Sequence, residues 1–587
     1  MKNLILLLLA SLFFNACTNK QSPSKPNIVI ILSDDQGWGD LSINGNTNIE
    51  TPNIDKLAET GVTFDRFYVC AVCSPTRAEL LTGRYHVRAG VYSTSSGGER
   101  LDTDETTIAE VFKNAGYATA AYGKWHNGMQ APYHPNSRGF DDFYGFCSGH
   151  WGNYYSPMLE HNGDIVKGNG FTIDDFTDHG LQFMEDHKDQ PFLLYLPFNT
   201  PHSPMQAPKA YWDKFEHKEL SMFHRDKEKE DIDFTRAALA MCENIDWNVG
   251  RITRKIEELG LAENTIVIYL SDNGPNDWRW NGGMKGKKGS TDEGGVRSPM
   301  IMNWSGVLPK GKVIKQIAGA IDLLPTLSEL SGIELTIQKQ PDGKSLKSLL
   351  LDESPKWDDR ILVNYWAGKT SVRSQKFRLD QEDRLFDMEN DPGQSKNVAQ
   401  EFPEAFKRLS TAKEAWKKDV LSELDQAAKR PFTIGHASME YTQLPARDAV
   451  PHGNIQRSNK HPNSTYFTNW TSTNDTITFD VEVLNSGTYE VELFYTCPPE
   501  DIGSAVRLSY KGAILDFLLI EAFDPPLKTD TDIYPRMEGY VKDFKRTNIG
   551  SIHLTKGTGE LSLQATKIPG RQVMDFRLLL LKKINEN

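Results

Sequence analysis

Four stretches of the chain are apolar almost without interruption: Asn27 to Leu32, Gly116 to Tyr122, Phe192 to Phe198 and Thr265 to Leu270. Runs of this kind predict strands buried on both faces, hence a parallel sheet in an α/β fold. Each run ends in residues that ionise or offer an amide: Ser33-Asp34-Asp35, Gly123-Lys124-Trp125-His126, Asn199-Thr200-Pro201-His202 and Ser271-Asp272-Asn273. Solvated turns would have to produce this pattern four times independently. One site along the carboxyl edge of one sheet, where open α/β sheets bind ligands, accounts for all four. If the second run stays extended, Lys124 and His126 face one side and Trp125 the other. Pro201 and Pro204 stiffen the loop that carries His202.

Periodicity also predicts helices from Thr51-Pro52 to near Gly61 and from Phe402 to Leu421. Beyond about residue 430 the pattern changes to strict alternation. Ile477, Phe479, Val481 and Val483 alternate with polar residues. After Asn485-Ser486-Gly487 so do Tyr489, Val491, Leu493 and Tyr495. This predicts a β-hairpin. A second pair is expected at Ser551–Thr555 and Glu560–Ala565, with a last strand from Asp575 to Leu581. With no helical pattern between them, these strands predict an antiparallel β-sandwich. Trp470 and Tyr466 are candidates either for its core or for stacking on sugars.

The chain has 587 residues, 38% hydrophobic and 25% charged, so two or three globular domains are expected. A net charge of −13 argues against a general nucleic-acid binder but leaves room for a locally basic site. Lys2 followed by the apolar run Leu4–Phe14 has the form of a signal peptide and is too short to span a bilayer. Ala16-Cys17 resembles a lipobox, which makes Cys17 the candidate lipidated residue of an outer-membrane lipoprotein; secretion is the alternative. Cys70, Cys147, Cys242 and Cys497 are scattered, so one disulfide or none is expected.

The chemistry centres on Cys73-Ser74-Pro75-Thr76-Arg77, followed by Leu80-Leu81-Thr82-Gly83. Ser74 suits an N-cap, Pro75 the first helical position and Gly83 the C-cap. A helix start favours an anion, or a nucleophile developing negative charge. The stretch resembles the signature of type I sulfatases, whose cysteine is oxidised to formylglycine. Gly123-Lys124-Trp125-His126, Pro201-His202-Ser203-Pro204, Asp34-Asp35, Asp272-Asn273 and Lys288-Gly289-Ser290 resemble that family's other motifs, in its order, across residues 26–425.

The resemblance implies an alkaline-phosphatase-like fold: a mixed, mostly parallel sheet flanked by helices. A small α+β C-terminal subdomain would follow, and here an all-β sandwich beyond it. The resulting division is a signal peptide at 1–16, a tether at 17–25, a catalytic domain at 26–350, a subdomain at 351–430, a linker at 431–470 and the sandwich at 471–587. The resemblance further implies that Asp34, Asp35, Asp272, Asn273 and residue 73 hold one divalent cation, usually calcium. Formylglycine would be made from Cys73 by a formylglycine-generating or anaerobic maturing enzyme. A hydrated aldehyde carries two hydroxyls on one carbon, one to attack sulfur and one to expel sulfate. Lys124 and Lys288 would hold the sulfate, with Lys285 as the alternative register for Lys288. His202 would protonate the leaving alcohol, His126 would take a proton during release, and Arg77 would fix the hydrate.

His150, Trp151, Arg279 and Trp280 are candidate substrate contacts. The expected substrate is a sulfated polysaccharide, with ulvan or carrageenan first and glycosaminoglycan next. A formylglycine-dependent phosphonate or phosphate ester hydrolase and an inactive glycan-binding lipoprotein are the alternatives.

Overall fold

The computed structural model describes residues 25–426 and 430–584. The signal peptide and Cys17 lie outside the described residues. Among those described, no helix is long and apolar enough to cross a membrane.

The region expected as the catalytic domain is built on a ten-stranded sheet. In chain order its strands are β1 (Asn27–Asp34), β2 (Val62–Phe64), β3 (Ala118–Lys124), β4 (Asp142–Phe146), β5 (Met158–His161), β6 (Asp164–Lys167), β7 (Phe192–Pro201), β8 (Thr265–Ser271), β9 (Met300–Asn303) and β10 (Lys312–Ile314). Their spatial order is β10-β2-β9-β8-β1-β7-β3-β4-β5-β6. The central block β8-β1-β7-β3-β4 is parallel. The antiparallel pairings lie toward the two edges. All four continuously apolar runs are therefore adjacent strands of this block.

Alternate residues of β1 explain why its run is unbroken. Ile28, Ile30 and Leu32 enter one core, with Leu80 and Leu81 of helix α1 (Cys73–Thr82). Val29 and Ile31 enter the opposite core, with Phe176 and Phe183 of α2 (Thr172–Asp186) and Ile245 and Val249 of α3 (Ile232–Glu258). Burying each such side chain contributes on the order of 1.5–3 kcal/mol, so both faces resist a polar substitution. The sheet forms a rigid frame, and its carboxyl edge inherits that rigidity.

A four-stranded antiparallel sheet spanning residues 362–387 and helix α4 (Pro403–Val420) form the small subdomain. It shares a core with Tyr68 and Val296 of the catalytic domain.

The C-terminal region is a sandwich of two six-stranded sheets. Its pairing differs from the hairpins expected. Thr476–Val483 pairs with Gly557–Lys567 in one sheet, whereas Gly487–Thr496 pairs with Lys545–Leu554 and Asp575–Lys583 in the other. Both expected hairpins are thus arches that cross between sheets. Period-two burial requires only that Ile477 and Tyr489 face a shared core, and two opposed sheets satisfy that as well as one.

Residues 431–470, expected as a linker, are built into the sandwich. Phe432–Ile434, Tyr441–Pro445 and Val450–His452 are strands of its sheets. Trp470 and Tyr466 are buried, Trp470 in the core and Tyr466 against Phe544, so neither offers a face to a sugar. The five cysteines described are free and buried.

Candidate active site

The edge of the central block is where the sequence concentrates charge, and local backbone geometry turns those residues inward. β1 ends at Asp34, and Asp35 has a left-handed backbone (φ 67°). That breaks strand alternation, so adjacent carboxylates reach one site instead of opposite faces. His126 is also left-handed (φ 63°), and β3 stops at Lys124. Lys124 and His126 therefore converge through a turn rather than by the extended alternation expected.

Cys73 occupies the first position of α1, a helix buried along its whole length. The N-cap is Val72, not Ser74, and it makes no side-chain cap bond. The Ser74 hydroxyl is buried without a partner. Thr76 does the local tying instead: its Oγ1 accepts from the Cys70 N–H (2.8 Å) and donates to the Asp272 carbonyl (2.6 Å). Gly83 closes the helix in the left-handed conformation expected of it.

Arg77, one turn on, organises the charges. Its Nε and Nη2 donate to Asp272 Oδ2 (3.1 and 2.7 Å), and Nη1 donates to the Lys124 carbonyl (2.5 Å). One guanidinium thereby joins α1 to the ends of β8 and β3. Lys124 Nζ donates to Asp34 Oδ2 (2.7 Å), and Lys288 Nζ contacts both Asp35 oxygens (2.6 and 2.8 Å). Lys285 and Lys287 pair instead with Asp292 and Asp277. The structure therefore places Lys288, not Lys285, at Asp35.

The histidines have defined faces. His202 Nδ1 lies 2.7 Å from the Ser203 carbonyl, which can only accept. Nδ1 therefore carries the proton and Nε2 faces the site, 3.7 Å from Asp35 Oδ2. His126 Nε2 likewise donates to the Thr94 carbonyl (2.8 Å), which leaves Nδ1 buried, unpartnered and free to accept. Burial, reinforced by Lys124, holds the His126 imidazole well below its ordinary range, so it stands neutral.

The acids divide in the same field. Burial alone would raise Asp34 and Asp35. The cations outweigh it, chiefly Lys124 and His202 at Asp34 and Lys288 and His202 at Asp35, and hold both below the carboxylate range. At Asp272, burial and the Asp34 charge prevail over Arg77 and push the carboxyl well up.

Residues 26–333 match the family described as Sulfatase. The chain belongs to the sulfatase family. Residues 287–418 match the C-terminal region of N-sulphoglucosamine sulphohydrolase. N-acetylgalactosamine-6-sulfatase of Mus musculus is 32% identical over 385 residues, covering 60% of this chain and 70% of the relative. Ps i-CgsB, solved alone and with k-i-k-neocarrahexaose, superposes with a TM-score of 0.61 at 30% identity. It covers 67% of this chain and 93% of its own. A protein solved in work on the metabolism of multiple glycosaminoglycans by Bacteroides thetaiotaomicron gives a TM-score of 0.57 at 25% identity, covering 67% of this chain and all of its own. The sulfatase is accordingly a sulfuric ester hydrolase.

Sulfatases generally carry formylglycine and a divalent metal, and the residues present fit both. Asp34 Oδ1 and Asn273 Oδ1 are buried acceptors without a hydrogen-bond partner. Asn273 Nδ2 is spent on Asp35 Oδ1 (2.9 Å), which points its oxygen elsewhere. Ligand atoms of Asp34, Cys73 and Asp272 lie within 4.8 Å of one another. Orphaned buried oxygens and close carboxylates are costly alone, and a hard cation with oxygen ligands removes both costs.

The four candidate substrate contacts fare unevenly. Arg279 is buried and forked onto Asp40, with Nε to Oδ1 at 2.8 Å and Nη2 to Oδ2 at 2.7 Å. Its Nη2 also donates to the Asp35 carbonyl (3.1 Å). It braces the turn that presents Asp35 and has no face left for a uronate. Trp280 is half-buried beside Gly45. Trp151 stacks on Phe146 at 5.1 Å. His150 lies parallel to His202, ring centroids 6.0 Å apart, and burial followed by the His202 charge lowers it to about 3.

Two further groups were given no role by the sequence. Asn199, at the end of β7, has both side-chain polar atoms buried and unpartnered. Its amide beside the His202 loop was the only available hint. Glu538 arrives from the sandwich, more than three hundred residues along the chain from His202.

Proposed function

We propose that this sulfatase removes sulfate from a sulfated polysaccharide or its oligosaccharides, ulvan or carrageenan fragments first. Calcium would be the divalent cation, and Cys73 would be matured to formylglycine by a dedicated enzyme. The reading places the protein in the cell envelope as an exported lipoprotein anchored through Cys17. The observation that carries the chemistry is the convergence of Lys124, Lys288 and the His202 Nε2 on the Asp34–Asp35 corner beside Cys73. Two ammonium groups suit the oxygens of a sulfate ester. The neocarrahexaose complex of Ps i-CgsB supports carrageenan-type substrates. The relative named N-acetylgalactosamine-6-sulfatase supports glycosaminoglycan as the second reading.

A formylglycine hydrate would supply paired hydroxyls, and a cation would take up charge on the sulfuryl oxygens. The chain's own residues do the rest. Arg77 fixes Asp272 beside position 73, where a bound cation would favour its ionised form and let it receive a proton. Lys124 and Lys288 grip and orient the sulfate. His202 Nε2 faces the site and, in the doubly protonated ring, gives its proton to the leaving alcohol, while His126 Nδ1 is free to accept the proton lost when sulfate departs. The test is sulfate release, followed by ion chromatography, from defined ulvan, carrageenan and glycosaminoglycan oligosaccharides. Release from ulvan or carrageenan fragments is expected. Release only from glycosaminoglycans would move the assignment to the second reading, and no release from any would refute both.

A further inference from the structure

Between the sandwich strands Ala513–Leu518 and Lys545–Leu554, residues 519–544 form neither helix nor strand. A loop this long in a compact domain usually has a task. Here it leaves the sandwich and is fastened to the catalytic domain along its length. The Ile533 N–H donates to the Met205 carbonyl (3.0 Å). Gln206 Nε2 donates to Thr531 Oγ1 (2.7 Å) and Asp532 Oδ1 (2.8 Å), and Arg536 Nη1 donates to the Gly152 carbonyl (2.7 Å). Val541 sits on Gly152 so closely that a Cβ there would lie 2.4 Å from it. The loop is therefore held from several sides, and its tip is not free to swing.

What this anchoring delivers is Glu538. Its carboxylate accepts a hydrogen bond from the Ser203 hydroxyl, next in sequence to His202. It stands within the electrostatic reach of both stacked histidines, His150 and His202. Burial pushes its carboxyl up, but the groups around it, led by the Ser203 hydrogen bond, outweigh this and hold it below the ordinary carboxylate range. The side chain is only half-buried. A sulfate held by Lys124 and Lys288 would have to turn its ester oxygen toward His202 Nε2 for that ring to protonate it. The alcohol part of the substrate then extends over the His202 side, where Glu538 waits.

We propose that Glu538, carried by the C-terminal sandwich, is a substrate-positioning residue that accepts a hydrogen bond from a sugar hydroxyl on the leaving-group side. This rests on the sulfated-glycan reading above. The sandwich would then complete the substrate cleft rather than act as a separate glycan-binding module. A fixed carboxylate at that place also disfavours a sugar whose neighbouring substituent is itself anionic.

Glu538→Ala, Glu538→Asp and wild-type full-length enzyme, all matured at position 73, would be compared on the oligosaccharide of the panel that releases sulfate fastest. A hydrogen bond to a charged acceptor corresponds to about tenfold or more in binding. Glu538→Ala is expected to raise KM about tenfold or more with kcat within threefold, and Glu538→Asp to recover part of the loss. An unchanged KM, or a fall in kcat alone, would overturn the proposal. Sulfate release by wild type from no oligosaccharide of the panel is a separate outcome and would overturn the underlying reading as well.

Discussion

Arg77→Met is the perturbation that best separates the frame of the site from its chemistry. Methionine approximates the length of arginine and keeps α1 packed, but it removes three hydrogen bonds at once: two to Asp272 Oδ2 and one to the Lys124 carbonyl. Arg77 and Asp272 are both fully excluded from solvent. Removing one partner of such a pair typically costs about 3–5 kcal/mol, because the other charge stays buried and unpaired. Asp272 has an escape. Its carboxyl is already pushed well up by burial and by Asp34, so it can take up a proton. The loss should therefore fall near the lower end, about 3 kcal/mol, equivalent to roughly 4 °C for a domain of some three hundred residues. A divalent cation bound to Asp34 and Asp272 would supply the missing positive charge, so added calcium should restore part of the midpoint in the variant. The assay is thermal unfolding by circular dichroism after chelation, repeated across a calcium titration. A midpoint within about 2 °C of wild type after chelation would refute the claim that Arg77 holds the carboxylate cluster together. Recovery no larger in the variant than in wild type would refute the cation's place beside it.

Other outcomes follow from groups further out. Burial raises the Glu79 carboxyl of α1 to about 8, against 4.5 for the free group. The folded chain thus keeps a proton that the unfolded chain loses, so stability should fall as pH rises from 4.5 toward 8 and level off above, by a few kcal/mol at most. Glu79→Gln should flatten that slope in chemical-denaturation midpoints; an unchanged slope would contradict it. Arg447→Met would leave Glu99 buried without its partner, now 3.0 Å away across the boundary between sandwich and catalytic domain. A loss of about 3–5 kcal/mol and faster proteolysis of the sandwich are expected, and unchanged proteolysis would count against a rigid junction.

What the sequence revealed follows from the kind of signal each part leaves. A strand packed on both faces writes itself as an unbroken apolar run, so β1, β3, β7 and β8 were visible, and so were the polar residues at their ends. The α/β fold followed from them. The sandwich was visible as alternation, but alternation names a buried face and not a partner strand, so arches passed for hairpins. Residues 431–470 passed for a connector because their Gly, Pro and Asn content reflects short irregular strands docked by ion pairs. Arg279 differs from its expected role for a related reason. Its position after Asp272-Asn273-Gly274 suggested a ligand, while its partner Asp40 lies far away in sequence and only the fold reveals the pair. Glu538 was invisible because it sits in no distinctive spacing, and Asn199 showed only as an amide at the end of its apolar run. Their surroundings are assembled from distant segments.

The most direct measurement joins the state of residue 73 to sulfate release. Enzyme purified from a host with a maturing system would be split between peptide mass spectrometry at position 73 and sulfate release from the sulfated oligosaccharides, alongside Cys73→Ala. Formylglycine at position 73, release by wild type, and a loss of roughly 10³-fold or more in Cys73→Ala with the fold retained are expected. An unmodified thiol in enzyme that still releases sulfate, or release undiminished in Cys73→Ala, would contradict these expectations.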